Sequence, residues 1–371
     1  MSRHGSASAA DRLRAGAAPS FFSHGAASPH DLGSGRLEAS PPRDRVEKVL
    51  RIDATRAPSN LLARLLVGSY ITGHDRVVIT ARHGLSRARR REIHQMVDRI
   101  LGMSVVGDRR NLVEVQSFLD PGKYELPRLL HRLVQLVRTE LGLCHAALTE
   151  KEPPSLRPIE GLEEEIDRLY LLMVRQLLLS SDSPRIARSI DVESHHFQIG
   201  DRVVAKVLEV TGDLIAGIAA ELDTHRSDLH RLPRGIVRTL ALEIERLERL
   251  FTETMDAFGR LSALDANRTL NTIKRAFARD TSLGSLIAAR VPDRTLAAAS
   301  HRIAFNLEIA TEMLICVNEI TINRSVEPET VARLGTRVDR AARRAGRLGV
   351  VTYPPIDLLF NNSGRPVVPA A

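Results

Sequence analysis

At 371 residues the chain is longer than one ordinary core accommodates, so two or three domains are expected. Hydrophobic residues make up 43 % of it, but aromatics only 4 % and Trp none, so aliphatic side chains and Ala must build cores better suited to helices than to sheets. The net charge of +8, almost all of its basic side Arg and spread along the chain, permits only weak attraction to nucleic acid or anionic lipid, and no apolar run approaches the ~20 residues that span a bilayer.

Residues 1–44 are rich in Ser, Ala, Gly, Pro and Arg without an apolar period, and read as a disordered tail. They contain no continuous apolar stretch of the kind a secretory signal needs. The pattern changes over residues 45–121. Val49, Leu50 and Ile52 predict a strand, Leu61–Tyr70 a helix, and Val77–Ile79 a second strand after the turn Gly73-His74-Asp75. Ser86 is placed to cap a helix carrying Ile93, Met96, Val97, Ile100 and Leu101, which Gly102 ends. Met103–Val106 and Leu112–Phe118 complete the order β-α-β-α-β-β, a small α/β domain with no glycine-rich phosphate loop.

From residue 122 onward the apolar period is helical. Leu126, Leu129, Leu130, Leu133, Leu136, Val137, Leu141, Cys144 and Leu148 form one stripe, and Pro153 and Pro154 interrupt it. Ile159, Leu162, Ile166, Leu169, Met173 and Leu177 form a second; Val203, Val207, Leu214 and Ile218 form a third. Three long helices with short connectors are expected to close into an antiparallel bundle over residues 122–224. The plan recurs over residues 225–326. The stripe from Ile236 to Leu261 predicts the longest helix, Leu270, Ile273 and Phe277 the next, and Ile303 to Ile320 the last. A basic helix near 328–347 and an irregular end fill residues 327–371. The expected fold is therefore mainly α, two antiparallel three-helix bundles preceded by a small α/β domain.

Glu209 and Asp213 stand four apart on the third long helix, on a face also carrying Ala205, Gly212, Ala216 and Ala220. Like charges at that spacing repel by about 0.2–0.5 kcal/mol unless a bound cation or solvent neutralises them. The preceding helix carries Glu160, Glu163, Glu164, Glu165 and Asp167, where acids near a helix start are favoured by the dipole in any case. If these helices pack antiparallel, Glu164 or Asp167 reaches Glu209 and Asp213, and an all-oxygen donor set would suit Mg, Mn or Fe. His195 and His196 are expected just ahead of the third helix, pointing different ways, and Cys144 and Cys316 match neither a zinc spacing nor a disulfide framework. No catalytic motif is present, so a non-enzymatic role is expected, in a reducing cytoplasm.

The run Glu164-Glu165-Ile166-Asp167-Arg168-Leu169-Tyr170-Leu171-Leu172-Met173-Val174-Arg175-Gln176-Leu177 resembles the second helix of archaeal PhoU-like phosphate-uptake regulators. Arg202–Asp213 resembles the family's E-R-x-x-D stretch on the third helix, with Val210 where Arg is usual; Tyr70–Asp75 and Ile100–Gly102 resemble the α/β part ahead of the bundles. The likeness extends over roughly residues 48–325. It implies a cytoplasmic negative regulator of phosphate uptake and phosphate-responsive signalling. The implied partners are a phosphate ABC transporter subunit or a signalling kinase, and a second copy in a homo-oligomer. It also implies divalent or iron-type metal ions on the first bundle, held here by Glu209, Asp213, Glu164 and Asp167. The second bundle reads Glu308-Ile309-Ala310-Thr311-Glu312 at the corresponding place, with Glu for the closing Asp. The DNA-binding domain that precedes many archaeal relatives is not recognisable in residues 1–44. The competing reading is a nucleic-acid-associated transcriptional regulator using Arg87, Arg89, Arg90 and Arg91 and the basic segment Arg333–Arg347.

Overall fold

The computed structural model describes residues 47–58, 60–192, 194–277 and 283–327. The expected tail over 1–44 and the basic helix near 328–347 lie outside the described residues. The first part follows the expected order: β1 (Val49–Asp53), α1 (Leu61–Ile71), β2 (Arg76–Thr80), α2 (Arg87–Asp98), β3 (Met103–Arg109) and β4 (Leu112–Ser117). The four strands form one sheet in the order β1-β2-β4-β3. β1 pairs parallel to β2, which the α1 crossover makes possible, and β4 runs antiparallel to both β2 and β3. Ile52, Val77, Ile79, Val113 and Val115 bury one face of the sheet against Leu62, Leu66 and Tyr70 of α1 and Ile93 and Val97 of α2. Ser86 caps α2 as expected, its hydroxyl accepting from Arg89 N.

The long helices are α3 (Leu126–Thr149), α4 (Pro158–Asp182), α6 (His195–Thr224), α7 (Arg234–Arg260), α8 (Ala263–Phe277) and α10 (Arg294–Ser325). Two short helices, α5 (Pro184–Ser189) and α9 (Leu283–Arg290), lie in connections for which the sequence predicts no element. The fold is mainly helical, with the small sheet near its start. The two sets of three helices share one core: a single cluster of buried apolar side chains runs from Leu126 of α3 to Val317 of α10. α6 is the central rod, packing on α3 and α4 on one side and on α10 on the other. It runs antiparallel to α4, with Gln198 bonded to Ser180 and Gly212 against Ile166, and antiparallel to α10, with Gly200 against Arg324 and Gly217 against Asn306.

Three expectations change. α10, not α7, is the longest helix, 32 residues against 27. His195 and His196 lie in the first turn of α6 instead of ahead of it, because Ser194 caps that helix by accepting from Phe197 N at 3.1 Å. Val203, placed on the apolar stripe, is exposed, whereas Val204, Ala205 and Leu208 beside it are buried. A helix surrounded on several sides does not bury a single narrow stripe, so the three-and-four spacing misjudges its phase.

One buried cation joins the sheet to the helices. Arg175 of α4 is fully buried and donates from Nη1 to the carbonyls of Tyr70 and His74, while Nη2 reaches Asp75 Oδ1 at 3.5 Å. Its guanidinium also lies over the Tyr70 ring, 4.8 Å from the centroid. The turn that offers these carbonyls is made by Gly73 at φ 86°, where a Cβ would stand 2.5 Å from Leu179 Cδ2. The sequence Tyr70–Asp75 is thus a structural joint.

Candidate metal centre

Five carboxyl groups from three helices gather where α3, α4 and α6 meet. α4 contributes Glu163 and Asp167, one turn apart and therefore on one face. α6 contributes Glu209 and Asp213 with the same spacing, and α3 contributes Glu140. Glu163, Asp167 and Asp213 each offer an oxygen within 4.8 Å of the others. Asp213 is exposed, Glu163 and Asp167 are half-buried, and Glu140 is wholly buried, so the group runs from the surface inward. Glu209, 8 % exposed, is held by Lys206, whose Nζ donates to its Oε2.

Close approach of the helices depends on Gly212. A Cβ there would lie 2.9 Å from Ile166 Cδ1 and 3.7 Å from Glu140 Oε2, so a missing side chain lets α6 settle against α4 and α3. Of the small face noted around Glu209 and Asp213, Gly212 is the member that serves this purpose.

The proximity of the acids shows in their titration. Burial first, then the charges of Glu163 and Asp213, push the Glu140 carboxyl up to about 8. Asp167 is raised to about 6 by burial, then by Glu163, Asp213 and Glu209, with Arg99 at the end of α2 acting the other way. Asp213 is raised as well, by desolvation first and then by Glu209 and Glu163, against the pull of Lys206. Arg99 thus opposes the rise of Asp167 and Lys206 that of Asp213, whereas among the described residues no such cation acts on Glu140. Among the described residues, both oxygens of Glu140 lack a hydrogen-bond partner. A fully buried, unpartnered carboxyl is costly, on the order of 1–3 kcal/mol or more.

No protein-family model matches this chain, and no curated protein or solved structure matches it significantly. The site is therefore read from its own chemistry. All donors are carboxylate oxygens, and neither His nor Cys joins them. Cys144, one turn beyond Glu140, aims its sulfur at the Ile215 carbonyl 3.9 Å away, and burial pushes its thiol up to about 12. Such a donor set fits a hard or borderline ion of the Mg, Mn or Fe type in preference to a closed zinc site. The orphaned oxygens of Glu140 fit the same ion, because an ion would satisfy them where the protein does not.

Of the four acids singled out from sequence, Asp167 and Asp213 lie in the group and Glu209 flanks it. Glu164 does not. It points to the α2 side, accepting from Arg168 at 3.4 Å and lining an open cleft of about 910 Å³ with Arg99, Arg168 and Glu92. The helix turns roughly 100° per residue, so Glu163 takes the inner position that Glu164 was given. Glu140 was missed altogether, although an acid at an apolar position of the α3 stripe, one turn beyond Leu136 and one turn before Cys144, was the available signal. In the second set Glu308 and Glu312 are both exposed. Among the described residues, no comparable group of three ligand-type side chains gathers around them.

The arginine run at the start of α2 is partly committed to the fold. Arg89 donates to the carbonyls of Ala54 and Ala57, and Arg90 pairs with Asp108 and donates to the Leu85 and Arg109 carbonyls. Arg87 and Arg91 alone remain exposed, which is little for a duplex to grip. The second basic segment of that reading, Arg333–Arg347, lies outside the described residues. No helix among the described residues is long and apolar enough to cross a membrane.

Proposed function

We propose that the protein is a non-enzymatic negative regulator of phosphate uptake and phosphate-responsive signalling, acting in the cytoplasm by protein contact through its helical faces. The observation that carries this reading is the meeting of two acid pairs on neighbouring helices, Glu163 with Asp167 and Glu209 with Asp213, beside the buried Glu140. The resemblance to PhoU-like regulators anticipates a metal on acid pairs of this kind and a small α/β part ahead of the helices. Glu163, Asp167 and Asp213 would hold a hard divalent or iron-type ion. When bound, the ion supplies positive charge that neutralises the carboxylates on this face. The partners are a phosphate ABC transporter subunit or a signalling kinase, with the chain itself as a homo-oligomer.

The test is an affinity capture from cells grown at high and at low phosphate, using the full chain and an Asp213→Asn variant. Recovery of a phosphate-transporter ATPase subunit or a phosphate-responsive kinase, altered by growth condition, supports the reading. Absence of both components at either phosphate level refutes it.

A further inference from the structure

We infer that Glu140 of α3 is a direct ligand of the cation held by Glu163, Asp167 and Asp213, so that the ion ties three helices together instead of bridging two. The inference rests on the reading of this carboxyl group as a cation site and adds a residue to it. Glu140 is fully buried, and among the described residues neither of its oxygens finds a donor. Protonation alone leaves that deficit, since a neutral carboxyl still carries an acceptor and an O–H without partners. A structural role would be met by an apolar residue, as at Leu136, Val137 and Leu141 on the same helix. The direction of the side chain is fixed by its neighbours. Oε2 faces the position where Gly212 lacks a side chain, and the charges that act on Glu140 are those of Glu163 on α4 and Asp213 on α6. These two belong to the group whose oxygens lie within 4.8 Å of one another; Glu140 adjoins that group from the α3 side without being one of the three. Asp213 is exposed and Glu140 wholly buried, so the acids extend from solvent inward.

A consequence follows from packing. α3 lies against α7 as well as against α4 and α6. An ion bound to α4 and α6 alone would leave α3 unaffected, whereas one bound to Glu140 orders the helix that borders both sets.

The full-length chain, stripped with a chelator, is titrated with Mn²⁺, reading free Mn²⁺ by electron paramagnetic resonance and the thermal midpoint in parallel. Wild type is expected to bind Mn²⁺ and to melt higher with it. Glu140→Gln should weaken Mn²⁺ binding by about ten-fold or more and remove most of the metal-dependent rise in Tm, while its metal-free Tm equals or exceeds that of wild type. Glu140→Cys supplies the test of direct contact, because a thiolate favours soft ions. It should give a Cd²⁺–sulfur absorption band that wild type, which retains Cys144, does not show. If both variants bind Mn²⁺ as wild type does and no Cd²⁺ band appears, the inference is overturned and the cation site itself stands. If wild type takes up neither Mn²⁺ nor Fe²⁺, the cation reading fails, and this inference fails with it. Should Glu140→Gln not fold, the Cd²⁺ band of Glu140→Cys decides alone.

Discussion

In metal-free protein, Glu140 makes stability fall as pH rises, and Glu140→Gln removes that fall. Burial and two neighbouring carboxylates carry this group from 4.5 to about 8. An ordinary glutamate in the unfolded chain has lost its proton by pH 6, whereas the folded protein keeps it until about pH 8. The folded state therefore binds more protons across that interval, and its advantage, complete below pH 4.5, is lost as pH climbs through 8. At ~1.4 kcal/mol per pH unit, the full interval amounts to a few kcal/mol, on the order of 3–5. That is a large share of the ~5–15 kcal/mol typical of folded proteins. Asp167, raised to about 6, contributes in the same direction but finishes earlier, so the interval from pH 6.5 to 8.5 isolates Glu140. Urea unfolding in chelator at steps from pH 5 to 9 measures the effect. Wild type should lose stability relative to Glu140→Gln from about pH 5 up to about pH 8 and level off above it, the two being closest near pH 5. Parallel curves for the two proteins would show that Glu140 ionises normally, and would refute the account of its burial.

Other consequences are open to measurement. Arg175→Met leaves the Tyr70 and His74 carbonyls and the Asp75 carboxylate without their buried donor, and should cost roughly 3–5 kcal/mol in urea unfolding. Amide exchange should quicken first in the turn after α1. Gly212→Val places methyl groups where a Cβ is already 2.9 Å from Ile166, so about 1–3 kcal/mol of stability should go, and Mn²⁺ affinity should fall as α6 moves away from α4. Cys144 is buried with its thiol pushed up to about 12, whereas Cys316 is partly exposed, so an aromatic disulfide reagent should label one thiol per native chain and two after denaturation.

The α/β part was legible because its signals are local. Alternation gives way to helical spacing at Leu61 and again at Ser86, and Gly73 and Gly102 mark the places where only a positive φ turns the chain. The helices were legible as helices, but their phases were less so. α6 packs on three neighbours, and its burial extends well beyond the stripe that spacing picked out. The same limit separates the acids correctly placed from the one misplaced. A run of Glu163, Glu164 and Glu165 has no inherent inner member; only the packing of α4 against α6 selects Glu163. Glu165 goes instead to Arg132 on α3, a neighbour that periodicity alone does not reveal. Glu140 could have been noticed as an acid within an apolar stripe, but its meaning depends on two helices more than twenty residues further along the chain.

The fold's treatment of other buried charges sharpens the case for an external partner at Glu140. Arg175 lies among backbone carbonyls and Asp75, and Arg324 lies between the rings of Phe197 and Phe258 while donating to the Phe197 carbonyl and pairing with Asp201 at 2.8 Å. Both cations are met by the chain itself, as buried charges must be if they are not to destabilise it. Glu140 is equally buried, has no hydrogen-bond donor among the described residues, and feels the charges of two more acids. A Leu at this position, or a Lys near it, would relieve the deficit. Glu140 stands at the inner end of a group of acids that opens to solvent at Asp213, and the Mn²⁺ titration of wild type and Glu140→Gln decides whether a cation meets it there.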